Sequence, residues 1–202
     1  MANRNTVGFG LIAQGTVGSS DANQGQGKYF IDANYGVAMF QGSVVQSKAG
    51  YIADAEAARA RLTIGILNGI FYNAATTQKP TWANHYVANT VPANSEDITA
   101  FVIDSPLQLF AVGADGAVAA ALYGNTASMT QAVPAGSTLS GQSSKQLNVA
   151  ANTSATANQF RLLRSAEDVE NEDGTVANST IIVTQNLNQY LQNTGTAGIT
   201  WQ

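Results

Sequence analysis

The chain has 202 residues, enough for one domain or two small domains with a substantial hydrophobic core. Only 11% of the residues are charged, less than half of the roughly 25% that is usual in soluble domains, and the formal net charge is −4. The nine Lys and Arg residues form no patch, which argues against direct nucleic-acid binding, and the lack of cysteine excludes disulfides and thiolate metal sites.

Residues 1–36 are expected to form an extended, glycine-rich N-terminal arm. The segment has six glycines from Gly8 to Gly27 and few large apolar side chains, and only residues 28–36 (KYFIDANYG) hint at a strand. A segment with so little apolar surface cannot be held folded by its own burial. The composition therefore predicts an arm that is disordered alone or ordered by a partner.

The glycines of this arm include the spacing of a dinucleotide-binding loop, with Gly8, Gly10 and Ala13 as G-x-G-x-x-A and Asp32 as a candidate ribose ligand. Such a loop requires a buried strand before it and a helix after it, whose N-terminus holds the phosphates. Only seven residues precede Gly8, and the Gly, Ser and Asn that follow Ala13 are poor helix formers. We therefore interpret these glycines as part of a flexible arm.

From Val37 onward the sequence consists of short β-like runs, which predict an all-β sandwich or barrel of short antiparallel strands. The runs are rich in Val, Ile, Phe, Tyr and Thr, and Gly, Asn, Asp or Pro bounds each of them. Residues 37–202 are expected to form this β-rich domain, and a division into two subdomains, 37–125 and 126–202, stays open. The most apolar short run, ILNGIFY at residues 66–72, is expected to send some of Ile66, Leu67, Ile70 and Phe71 into the core, and whether the Phe71 ring is buried or at a surface stays open.

Local signals predict turns, loops and one short helix within this domain. Asp115-Gly116 predicts a tight hairpin turn, because Asp-Gly favours the positive φ angles of primed turns. Asn68-Gly69 fits either a second hairpin turn or a bulge inside one long strand. The strongest helix signal is at residues 53–61 (ADAEAARAR), where acidic residues come early and arginines late, so at most one short helix is expected. Residues 127–158 are expected to hold long loops and marginal strands.

Few residues offer site chemistry, and no catalytic, cofactor-binding or metal residue is predicted. His85 is the single histidine, with no serine in a nucleophile motif and no second histidine to complete a zinc site. Trp82, His85 and Tyr86 lie close together beside Pro80, where they fit either an aromatic platform for sugars or a small core cluster. The chain is therefore not expected to be an enzyme.

The acidic run EDVENED, residues 167–173, is the strongest candidate for metal binding. An EF-hand loop requires glycine at its sixth position and glutamate at its twelfth. Counted from Asp168, these positions hold Asp173 and Ser179, so that type of loop is excluded. An irregular calcium site and a solvated loop whose charges keep the surface soluble both remain open.

The composition also bears on the surroundings of the protein. A neutral surface of small residues suits packing against copies of the same chain or a larger scaffold, because few charges must be desolvated when surfaces meet. No apolar run approaches the roughly 20 residues that a membrane-spanning helix requires, and the first residues lack the pattern of a signal peptide. We therefore expect a soluble protein without membrane contact.

Three stretches of the β-rich region, FQGSVVQSKAGYI, TIGILNGIFYN and ITAFVIDSPLQLFAVGADGAV, follow one another in an order that resembles head decoration, or cement, proteins of tailed bacteriophages. The positions that carry the resemblance are Gly42, Val44, Gly50, Gly65, Leu67, Gly69, Tyr72, Asp104, Pro106, Phe110, Asp115 and Gly116. In the third stretch, Ser105 stands before Pro106 where the commoner form has Asp or Asn.

This resemblance implies an all-β structural protein of the virion, without a cofactor, that binds the outside of a shell of major capsid protein. Proteins of this kind often assemble as trimers, and they clamp neighbouring capsid subunits against the pressure of the packaged genome. In such a particle the expected arm would lie along a neighbouring subunit. The alternatives are another virion component, such as a tail, head-fibre or minor capsid protein, and a carbohydrate-binding β-domain.

Overall fold

The computed structural model describes residues 3–18, 25–55, 62–130, 135–153 and 158–190. Within these residues the chain is all-β, with two antiparallel sheets of six strands each, which confirms the predicted fold class. The strands are β1 (Ile12–Thr16), β2 (Gly27–Ile31), β3 (Val44–Lys48), β4 (Tyr51–Asp54), β5 (Gly65–Asn73), β6 (Pro80–Ala83), β7 (Ile98–Ile103), β8 (Gln108–Gly113), β9 (Thr126–Met129), β10 (Leu147–Thr153), β11 (Phe160–Ser165) and β12 (Thr180–Gln185). The helical elements of the described residues are single turns of 3-10 helix, at Ala93–Ser95 and Ala120–Leu122.

The first sheet, sheet A, has the strand order β1-β8-β12-β11-β9-β10. It curls, because Ala114, directly after β8, forms a bridge to Leu147 of β10 although the two strands are not neighbours in this order. β1 lies at the other end of the order and pairs only with β8 among the described strands. Among the described strands, β1 is therefore an edge strand of sheet A, and it comes from the N-terminal segment.

The second sheet, sheet B, has the order β2-β7-β5-β3-β4, and β6 pairs with the later part of β5. Its central strand β5 has nine residues, and its register against β7 shifts between Leu67 and Gly69. Asn68-Gly69 is therefore a bulge inside one long strand and not a hairpin turn. After the bulge, Ile70 is buried and Phe71 lies half-buried on the opposite face, so Ile70 enters the core and the Phe71 ring is not fully buried.

The buried hydrophobic side chains form two clusters. The larger cluster takes side chains from both sheets, including Ile66 of β5 and Phe110 of β8. The smaller cluster lies on one face of sheet B and includes Ile70 and the fully buried Tyr86. β5 contributes to both clusters, so both faces of sheet B carry buried side chains, and Phe71 shares its face with Ile66.

A buried ion pair links the two sheets. The Lys145 ammonium nitrogen, just before β10 of sheet A, lies 2.6 Å from a carboxylate oxygen of Asp54, the last residue of β4 in sheet B. Both side chains are 2% exposed. Removal of one partner from such a pair leaves an uncompensated buried charge, at a cost of about 3–5 kcal/mol. The pair therefore fixes the relative position of β4 and the segment that enters β10.

The described part of the 1–36 segment belongs to the sheets, so the expectation of an arm that folds only with a partner is wrong for these residues. β1 pairs with β8, and β2 pairs with β7. Leu11 and Ile31 are buried, at 4% and 0% exposure. The physical reason is long-range: strands distant in sequence supply the hydrogen bonds and apolar contacts that the glycine-rich segment cannot supply to itself.

Three other local predictions are resolved by the strand pairing. The predicted hairpin turn at Asp115-Gly116 is wrong, because neither residue has a positive φ and β8 does not pair with β9. The Asp115 carboxylate instead accepts a hydrogen bond from the Val149 N–H at 2.8 Å. Of the predicted helix at residues 53–61, residues 53–54 belong to β4, and residues 56–61 lie outside the described residues. Part of the region 127–158, predicted to hold loops and marginal strands, forms β9 and β10.

The change from sheet B to sheet A along the chain comes between β7 and β8. Apart from β1, the strands up to Ile103 belong to sheet B, and the strands from Gln108 onward belong to sheet A. No helix among the described residues is long and apolar enough to cross a membrane.

Candidate functional site

The N-terminal segment is anchored on the acidic loop between β11 and β12. Asn171 is 3% exposed, and its side chain donates a hydrogen bond to the Asn5 carbonyl (2.8 Å) and accepts one from the Asn5 N–H (3.1 Å). The Asn3 side chain donates to the carbonyl oxygens of Asp173 (3.1 Å) and Ala177 (2.9 Å). The loop 167–173 therefore fixes residues 3–5 through amide and backbone groups.

The carboxylates of this loop have separate partners. Asp168 accepts a hydrogen bond from a threonine hydroxyl of β12 at 3.1 Å, and Glu170 pairs with Arg4 at 2.8 Å. Hydrogen bonds from the hydroxyl and N–H of Thr175 lower the pKa of Asp173. In the described ranges, no three His, Cys, Asp or Glu side chains lie close enough together to hold a metal ion.

The open edge of β1 is flanked by exposed apolar side chains, and we call this region the edge surface. Val7 is 67% exposed, Ile12 44%, Val17 47% and Leu107 52%. The Val17 N–H donates to the Leu107 carbonyl at 2.8 Å, which extends the pairing of β1 with β8 beyond the strand itself. The edge surface therefore combines an open strand edge with apolar groups held in fixed positions.

A cleft of about 650 Å³ opens beside the edge surface, on the outer face of sheet A. Its floor follows a row of paired residues across four neighbouring strands, Ile12, Ala111, Ile182 and Arg164. Phe9 also lines it. The floor is apolar on β1, β8 and β12 and ends at the exposed guanidinium of Arg164 on β11. The cleft therefore adds apolar contact area and one positive charge to the edge surface.

The three neighbouring aromatic residues of the sequence analysis do not form a joint platform. Tyr86 is 0% exposed, its hydroxyl donates to the Tyr35 carbonyl at 2.7 Å, and burial raises its pKa to about 12. The His85 ring is stacked on Phe40, with 5.8 Å between ring centroids. Of the three, Trp82 alone is largely exposed, at 68%. Tyr86 therefore belongs to the core, and His85 packs against a loop.

Trp82 instead joins two phenylalanines on the face of sheet B opposite Ile70, the face that also sends Ile66 into the larger cluster. Its ring centroid is 5.1 Å from that of Phe101, with a 19° angle between the ring planes, and 4.9 Å from that of Phe71, with a 50° angle. Strand register brings these rings together, since Phe71 pairs with Trp82 of β6, and Gly69 pairs with Phe101 of β7. An open cleft of about 430 Å³, the aromatic cleft, lies here and is lined by Gln26, Asn68, Gly69, Trp82, Ala83, Asn84 and Phe101.

Gly8 and Gly10, which have the dinucleotide-like spacing, lie where the backbone passes close to other parts of the chain. A Cβ atom at Gly8 would lie 2.1 Å from the Ser144 carbonyl oxygen, and Gly10 has a φ of +72°, which favours glycine. After Ala13 the chain continues as strand β1 and not as a helix, and Asp32 follows β2. The segment therefore lacks the helix N-terminus on which a pyrophosphate would be held.

Comparison of the chain with known proteins finds no matching family model, no matching curated protein and no matching solved structure. The features of the chain that bear on its function are the edge surface, the aromatic cleft and the low fraction of charged residues.

Proposed function

We propose that this chain is a structural protein of a tailed-phage virion, which binds the outside of the capsid and stabilises contacts between major capsid protein subunits. The edge surface is the observation that supports the proposal most directly. β1 is an edge strand of sheet A among the described strands, and an edge strand can pair with an extended segment of a neighbouring protein through its outward N–H and C=O groups. The apolar side chains Val7, Ile12, Val17 and Leu107 would be buried in the same contact.

The composition supports contact over a broad surface. Only 11% of the residues are charged, so few charges lose their hydration when the protein meets a shell. The cleft beside β1 adds apolar floor and the Arg164 guanidinium to the same side of sheet A. In this proposal the protein is located on the capsid surface, acts without a cofactor or catalysis, and assembles as a trimer.

Co-sedimentation with capsid shells tests the proposal. The shells are made from the major capsid protein encoded in the same genome and are prepared without this chain. We expect the wild type to pellet with them, and the double variant Ile12→Asp with Leu107→Asp to lose most of its binding, because two carboxylates would be buried in the contact. The matched control is Val91→Asp, since Val91 is 53% exposed between β6 and β7 of sheet B and lies outside the edge surface.

Two outcomes would contradict the proposal at different levels. Equal binding of the double variant and the wild type would remove the edge surface from the contact. If the wild type itself does not pellet with the shells, the capsid role is wrong, and a tail, head-fibre or minor capsid role becomes the better account.

A further inference from the structure

We propose that the aromatic cleft binds one neutral hexopyranose unit of a glycan, with the Trp82 indole as the stacking platform and the side-chain amides of Gln26, Asn68 and Asn84 as hydrogen-bond partners. This site lies on sheet B, whereas the edge surface lies on sheet A, so the inference does not rest on the capsid proposal. The volume of about 430 Å³ falls within the range of small-ligand sites.

The Trp82 ring is held on one side and open on the other. Phe101 is stacked on it nearly in parallel, and Phe71 contacts it at a tilt. A side chain that is 68% exposed while one of its faces is covered must present its other face to solvent. The face of an aromatic ring carries partial negative charge, so it attracts the weakly positive C–H groups on one face of a pyranose ring.

Three amide side chains stand around this ring, and two of them are oriented by neighbours. The Asn68 side-chain oxygen accepts a hydrogen bond from Gln41 at 2.9 Å, which leaves its NH₂ group to donate to a ligand. The Asn84 NH₂ group donates to the Ser140 carbonyl at 2.8 Å, and the Asn84 side-chain oxygen lies 3.0 Å from the His85 Nδ1 atom. Gln26 forms no side-chain hydrogen bond with another described residue.

Amides can both donate to and accept from sugar hydroxyls. The side chains that line the aromatic cleft therefore match a hydroxyl-rich ring on two counts, because they offer a flat apolar surface and hydrogen-bonding groups at its margin. A purely apolar protein contact would leave the Gln26 amide and the Asn68 NH₂ group without partners once water is excluded, at a cost of about 1–3 kcal/mol for each group.

The cleft also indicates that the sugar is uncharged. None of the side chains that line it carries a charge. Lys28 is the cross-strand partner of Phe101 on the same face, but its ammonium nitrogen lies over the Phe30 ring, 5.5 Å from the centroid. An acidic sugar would therefore form no ion pair at the Trp82 platform, and a neutral hexose requires none.

Affinity electrophoresis of the free protein tests this site. The gels contain dextran, α-mannan, galactan, xyloglucan or soluble N-acetylglucosamine oligomers coupled to the matrix, with alginate as an acidic comparison. We expect at least one neutral glycan to retard the wild type. Trp82→Ala should weaken that retardation at least about tenfold, equivalent to about 1.4 kcal/mol, and Asn68→Ala should weaken it less.

Two controls separate loss of the site from loss of the fold. Trp82→Tyr keeps an aromatic platform and should retain most of the binding, and Val169→Ala changes an exposed side chain elsewhere and should bind as the wild type. Circular dichroism of each variant must match the wild type before its retardation is interpreted.

Three results would overturn the inference. These are no retardation by any of the neutral glycans, unchanged retardation of Trp82→Ala, and retardation by alginate alone. If no glycan binds and Trp82→Ala prevents co-sedimentation with shells, the aromatic cleft is a protein contact and the glycan site is wrong. Because the gels contain no shells, failure of this inference is distinguishable from failure of the capsid proposal.

Discussion

The edge surface and the aromatic cleft both expose apolar side chains, but different structural elements hold them. The edge surface is built on β1 at the end of sheet A, and the chain before β1 is anchored through Asn171. The aromatic cleft is built on β5, β6 and β7, with the nine-residue β5 at its centre. One region therefore lies at the periphery of its sheet, and the other is centred on β5, with Trp82 on the neighbouring short strand β6.

This difference bears on what each region can recognise. A peripheral strand offers length and unpaired backbone groups, which suit an extended contact whose free energy is spread over many atoms. A central strand offers side chains in fixed positions, which suit a small ligand that needs a defined geometry. Substitutions that change one region and leave the other intact test this difference.

The largest expected difference lies between two adjacent residues of β5. Ile70 is 1% exposed in the smaller core cluster, so Ile70→Ala should lower the free energy of unfolding by about 2–5 kcal/mol. Phe71 lies half-buried on the opposite face of β5, so Phe71→Ala should cost only about 1 kcal/mol, the size of its ring contacts. Urea unfolding of both variants measures this difference. Equal losses would mean that Phe71 belongs to the core.

A smaller effect is expected at the anchor of the edge surface. Asn171→Ala leaves the backbone groups of Asn5 without their buried partner, so the free energy of unfolding should fall by about 1–3 kcal/mol. Proteolytic cleavage within residues 3–18 should become faster at the same time. Glu170→Gln removes an exposed ion pair with Arg4 and should change neither quantity measurably. Unchanged cleavage in Asn171→Ala would show that β1 pairing alone holds the segment.

The sequence predicts the all-β class well, because its short runs of β-branched and aromatic residues between glycines favour strands locally, and the fold places strands there. β1 is missed for the opposite reason, since IAQGT contains few strand formers and depends on its pairing with β8. Asn171 is missed because its partner, Asn5, is 166 positions away, so no local pattern connects the two residues.

The aromatic cleft is also only partly visible in the sequence. Trp82 stands out as a candidate platform, but its partners come from other strands through pairing that local patterns do not contain. In β7, Ala100 and Val102 belong to the smaller cluster, so alternation places Phe101 on the other face, which also carries the buried Ile103. Local alternation therefore does not predict that the Phe101 ring meets Trp82.

The central claim, that the chain stabilises a capsid through its edge surface, is tested most directly by the temperature at which shells rupture. Shells of the major capsid protein are heated alone, with the wild type, with the double variant Ile12→Asp and Leu107→Asp, and with Trp82→Ala. We predict that the wild type and Trp82→Ala raise the rupture temperature equally, and that the double variant leaves it near the value of bare shells. Rupture of shells at the same temperature with and without the wild type would contradict the claim.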